Sequence, residues 1–121
     1  IKMKASEAKE RIERLINLFS QLHNLLNTEP EPLWQRRYPL IADAAREVGF
    51  LEQAGILDRF TERKIVDDKG LSRDIFRESL RAGSKYGSDV IEYAIVELHI
   101  ALAKLQTFCE GDWERDISGT L

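Results

Sequence analysis

Cysteine and histidine are scarce in this chain: its 121 residues include one cysteine, Cys109, and two histidines, His23 and His99. A lone thiol excludes an internal disulfide and points to a reducing, cytoplasmic setting, and its place on an apolar helical stripe marks it as a small buried hydrophobe. The two histidines offer little for imidazole chemistry. Neither belongs to an H-E-x-x-H or C-x-x-C arrangement, neither follows a Glu by three residues as a di-iron bundle requires, and neither follows an Arg at the spacing used by small helical ribonucleases. No G-x-S-x-G, G-x-x-x-x-G-K-[ST] or G-x-G-x-x-G pattern occurs. No catalytic residue, metal site or cofactor is therefore expected.

Long hydrophobic runs and a strong charge of either sign are missing too. The most apolar stretch is broken by Glu92, Glu97, His99 and Lys104 before it reaches the roughly 18 residues of a membrane span, and no signal-peptide pattern opens the chain. A formal net charge of −3 gives no general attraction for polyanions, so nucleic acid is not the favoured partner. What remains is ordinary for a folded domain: 43% hydrophobic and 32% charged residues, with no low-complexity segment. The length suits a single domain spanning 1–121, and the opening Ile1 fits a piece excised from a longer protein.

Residues 88–110 organise the rest. Ile91, Ala94, Leu98, Ala101, Leu105 and Phe108 recur three and four apart, which places them on one side of a helix. Tyr93, Val96, Ile100 and Ala103 form a second apolar face on the other side, so this helix should be covered twice, by its own chain or by another molecule. Residues 5–27 repeat the inward logic with Ala5, Ala8, Ile12, Leu15, Phe19, Leu22 and Leu26, and carry a charged outer face. Between the two, Pro30, Pro32 and Pro39 read as the main connection, and Trp34, Arg36, Arg37 and Tyr38 form an aromatic and basic cluster inside it. A third helix follows Pro39 and continues to Gly55, and a shorter one covers 56–66. Asp67-Asp-Lys-Gly70 reads as a turn. Ser72 is the expected N-cap of a helix ending near Ala82 and stopped by Gly83, and 83–88 reads as a linker. The tail after Gly111 is expected to fray, except for Trp113.

The expected fold is all-α: a compact bundle of about five helices with the long N- and C-terminal helices packed antiparallel. The preferred function is a non-enzymatic protein–protein interaction module, acting as a homo-oligomer, most simply a dimer, or as a subunit or regulatory piece of a larger assembly. Its interface residues would be Tyr93, Val96, Ile100, Ala103 and Trp113. The alternative is an anion or nucleic-acid binder. Arg73, Arg77, Arg81 and Lys85 recur every four residues and would line one helix edge, joined in this reading by Arg36, Arg37 and Trp34. Against it, Asp74 and Glu78 stand at i,i+3 spacing to pair with those cations.

Overall fold

The computed structural model describes residues 1–30, 34–85 and 87–118. Its elements run α1 (Ala5–Thr28), α2 (Trp34–Gln53), α3 (Ile56–Phe60), β1 (Lys64–Val66), β2 (Ser72–Asp74), α4 (Ile75–Ser84) and α5 (Asp89–Cys109). The two short strands pair antiparallel with Ile65 opposite Arg73, and the fold is otherwise helical.

The two long periodic stretches form helices because their apolar residues share one side, and that side fixes their neighbours. Along α1, Ala5, Ala8, Ile12, Leu15, Phe19, Leu22 and Leu25 are buried; along α5, Ile91, Ala94, Leu98, Ala101, Leu105 and Cys109 are buried. These stripes meet with the helices antiparallel. At one end the Ser88 hydroxyl donates to the Asn27 side-chain oxygen at 3.2 Å, and at the other the Ala5 amide donates to the Arg115 carbonyl at 2.8 Å. Helix α2 lies on the other flank of α1, and α4 closes the ring by packing on α2 and α5. The result is an up-down-up-down ring of α1, α2, α4 and α5, with α3 set against α2 and α5.

Polar contacts set the register of α2. The Glu47 carboxylate is buried on the α1 side and accepts from Arg11 and Arg14, each at 3.0 Å, while the Arg11 guanidinium lies 4.3 Å from the Phe50 ring centre. Near the start of α2, the buried Arg37 donates to the Gly83 carbonyl at 3.1 Å. That bond depends on a close helix approach. A Cβ on Gly83 would stand 2.7 Å from a methyl of Leu22 and 3.1 Å from Ile41.

Several sequence expectations require correction. Gly83 does not stop α4; it lies inside the helix, buried, and its missing side chain lets α4 sit against α1 and α2. Residues 34–38 are helical, and Pro39 is carried within α2. It lies early in the helix, so one backbone bond is lost near an end where donors are already unpaired. Pro32 lies outside the described residues, as does Tyr86 of the linker. The helix expected over 56–66 ends at Phe60, where the Thr61 hydroxyl donates to the Leu57 carbonyl at 2.6 Å and Arg63 takes a left-handed φ of 49°. Beyond it the chain forms β1. Ser72 belongs to β2, and the N-cap of α4 is Asp74, whose carboxylate accepts from the Phe76 and Arg77 amides.

The turn itself is as expected. Gly70 has φ 77°, and one Asp67 oxygen accepts from the Lys69 and Leu71 amides at 2.9 and 2.8 Å. The tail is pinned through Ser118, not frayed: Ile117 is buried and its amide donates to the Met3 carbonyl, and Lys4 pairs in an isolated bridge with Asp116.

Leu98 is fully buried at the centre of the α5 stripe. Leu98→Ala should lower stability by about 2 to 5 kcal/mol in urea unfolding. Gly83→Val should cost about 1 to 3 kcal/mol through overpacking against Leu22 and Ile41. A Gly83→Val variant as stable as the parent would show that α4 can move away from α1 without loss.

Candidate interaction surface

The ring buries one face of α5 and leaves the other in water. Tyr93, Val96 and Ile100 are 58%, 55% and 40% exposed, and Ala103 is exposed beside them. Their three- and four-residue spacing makes one continuous strip. Its carboxyl-terminal end opens into a hollow of about 490 Å³ lined by Arg59, Phe60, Ala103, Lys104, Thr107 and Phe108. The floor of that hollow is firm. Phe60 and Phe108 meet edge to face with ring centres 5.6 Å apart, and the Arg59 guanidinium lies 4.7 Å from the Phe108 ring while donating to the Ile117 carbonyl. At the other end of the strip stand the exposed Asp89 and Glu92, the latter 3.6 Å from His23.

Trp113 does not join this strip. Its ring is half-buried against the core with the Lys9 ammonium 5.1 Å from its centre, and its carbonyl accepts from the Ser6 amide, so it ties the tail to the start of α1.

The cations of the second candidate surface are distributed differently from the sequence pattern. Arg73 sits on β2, not on the helix, and meets Asp67 at 3.0 Å and Glu78 at 3.6 Å. Hydrogen bonding from Arg73, with help from the Leu71 amide, holds the Asp67 carboxyl below its usual range. Arg77 reaches Glu52 at 3.1 Å and Asp74 at 3.9 Å, and Arg81 reaches Glu78 at 3.4 Å. Lys85 is exposed and makes no ion pair among the described residues. Arg36 pairs with Glu29, Arg37 is buried under α4, and Trp34 stacks at a tilt on Tyr38 with ring centres 5.5 Å apart. Of these seven residues, the three arginines of the proposed edge thus face carboxylates of their own chain, and the buried Arg37 is engaged with the Gly83 carbonyl at the end of α4.

Sequence reasoning passed over Arg63. Its guanidinium gathers Glu52 at 2.6 Å, Asp58 at 3.1 Å and Asp74, in a groove of about 550 Å³. Burial opposes its charge, but the hydrogen bonds it donates to Glu52, Asp74 and Asp58 and the charge of Asp74 outweigh burial and hold it more firmly protonated than usual. Its backbone carbonyl also accepts from the Ile75 amide at the start of α4. Arg63 therefore fastens the hairpin to α2, α3 and α4. A left-handed arginine inside a stretch expected to be helical has no sequence signature that would have marked it.

Among the described residues no group of three or more His, Cys, Asp or Glu side chains is placed to hold a metal ion, and no helix is long and apolar enough to cross a membrane. Comparison with protein-family models, curated proteins and solved structures gives no match.

Replacing Arg63 by Met keeps the stem and removes the cation, leaving Glu52, Asp58 and Asp74 to repel one another with the exposed Lys64, Arg73 and Arg77 as the remaining cations of the groove. The loss at neutral pH should be about 1 to 2 kcal/mol, modest because those carboxylates stand partly in water. Salt screens that repulsion, so the deficit should shrink as ionic strength rises. A deficit unchanged between low and high salt would assign the loss to packing of the arginine stem.

Proposed function

We propose that this chain is a non-enzymatic protein–protein interaction module that works by burying the outer face of α5, as a homo-oligomer or as a subunit or regulatory piece of a larger assembly. The observation that carries the reading is the continuity of the exposed strip Tyr93, Val96, Ile100 and Ala103 on a helix whose opposite side is core. Scattered exposed hydrophobics are normal on protein surfaces; a contiguous strip beside an aromatic hollow is the pattern of a contact surface. The buried thiol of Cys109 supports a reducing, cytoplasmic location.

The anion-binding alternative keeps less support. A ligand would have to displace Asp67, Glu52, Asp74 or Glu78 from Arg73, Arg77 and Arg81. Only a steep fall of nucleic-acid affinity with salt, removed by Arg77→Glu and Arg81→Glu together, would revive it.

A photo-crosslinking amino acid at Val96, introduced in the cells that make the protein, should trap a protein adduct of discrete mass. The same amino acid at Glu13, on the exposed charged face of α1, should not. Equal, diffuse labelling at both positions would retire the interaction reading.

A further inference from the structure

The strip and the hollow on α5 are complementary to each other. Tyr93 is a large, projecting ring at one end of the strip, and the hollow at the other end is floored by Phe60 and Phe108 and walled by Ala103 and Thr107. Tyr93 and Ala103 stand five residues to either side of Leu98. The ends also differ in charge: Asp89 and Glu92 lie toward the amino terminus, and Lys104 and Arg59 lie at the hollow. A parallel pairing would set like charges together and leave each hollow facing another hollow. An antiparallel pairing reverses both relations.

We infer that the occupant of this face is a second copy of the chain, packed α5 against α5 in antiparallel sense about a two-fold axis level with Leu98. This rests on the interaction reading above and names its partner. Each Tyr93 ring then lies level with the other copy's hollow, on the same edge of the helix pair. Val96 and Ile100 of the two copies meet around the axis, and each acidic end lies level with the other copy's Lys104 and Arg59. The arrangement is self-complementary, so each contact is made twice. A tyrosine seated on aromatic rings with its hydroxyl toward the rim is a common anchor of such interfaces.

The test uses the unmodified chain and three variants in light scattering and sedimentation. The unmodified chain should have twice its 13.9 kDa mass at tens of micromolar. Ile100→Glu should be a folded monomer, since one substitution places two like charges at the axis. Tyr93→Ala, which alters a surface side chain and spares the core, should weaken dimerisation at least tenfold. Ala103→Trp, which fills the hollow, should weaken it comparably. The register is read separately by placing a benzophenone amino acid at Tyr93 in a chain mixed with a nitrogen-15-labelled copy. Crosslinks should join it to peptides of the labelled chain carrying Phe60 or Ala103–Phe108. A monomer at high micromolar concentration, crosslinks between the two position-93 segments, or Tyr93→Ala dimerising as well as the parent would each overturn the inference. If the chain is monomeric yet the Val96 crosslinker traps a different protein in cells, the module reading stands and the homodimer falls; if neither association occurs, both fall.

Discussion

A ring of four helices has a single interior, and each helix can turn only one stripe toward it. Helix α1 satisfies this constraint. Its buried stripe runs from Ala5 to Leu25, and its remaining surface carries Lys9, Glu10, Glu13 and Arg14. Helix α5 does not, because it is apolar on two sides. Burying Ile91, Ala94, Leu98, Ala101 and Leu105 in the ring necessarily leaves Tyr93, Val96 and Ile100 outside. The exposed strip follows from the same packing that makes the core. Turning α5 to hide Tyr93 would expose Leu98, which is fully buried, so the fold offers no rotation of this helix that removes both faces from water.

Two polar clamps hold α2 where apolar contacts alone would allow it to slide. Apolar stripes are tolerant of register, whereas a buried carboxylate accepts only a position that brings it donors. Glu47 finds Arg11 and Arg14 on α1, and Arg37 finds the Gly83 carbonyl of α4. These contacts sit toward opposite ends of α2, so together they fix both its height and its rotation. They also account for the helical turn at Trp34–Tyr38, which lies ahead of a proline that would ordinarily discourage it. Arg37 can reach Gly83 only from a helical backbone folded against α4. Here tertiary contact outweighs local propensity.

The long helices and the all-α class were legible because periodicity is written into α1 and α5 residue by residue, and burial follows the pattern closely. The turn at Asp67–Gly70 was legible for a different reason, since both the Asp side-chain bonds and the glycine φ are local chemistry. What escaped was whatever depends on distant partners. Three-residue strands are too short to show an alternating pattern, and Arg73 looked helical because a four-residue spacing continues by chance from Arg77 and Arg81 across the end of α4. Gly83 resembled a stop signal because sequence cannot show that Leu22 lies where its Cβ would be. Of the candidate surfaces, the spacing showed that Tyr93, Val96, Ile100 and Ala103 share one side of α5, but not that this side lies in water. The hollow was not legible, since Arg59 and Phe60 arrive from α3, well separated in sequence.

The charged surface of the bundle is largely occupied with itself. Arg63, Arg73, Arg77 and Arg81 meet Glu52, Asp58, Asp67, Asp74 and Glu78, and each such pair must be opened before an outside charge can use it. Other exposed hydrophobics are differently placed: Val66 and Leu71 sit on a short hairpin, and Trp34 and Tyr38 stack on one another. The α5 strip differs in being borne by a helix fixed along its length by its own buried face. A molecule docking there orders a few exposed side chains and almost no backbone, so little of the gain from burying Tyr93, Val96 and Ile100 is offset by lost freedom. Docking on the hairpin would require stiffening a two-stranded ribbon of the kind that is marginal by itself. By this measure the helix face would cost less ordering on docking than the hairpin.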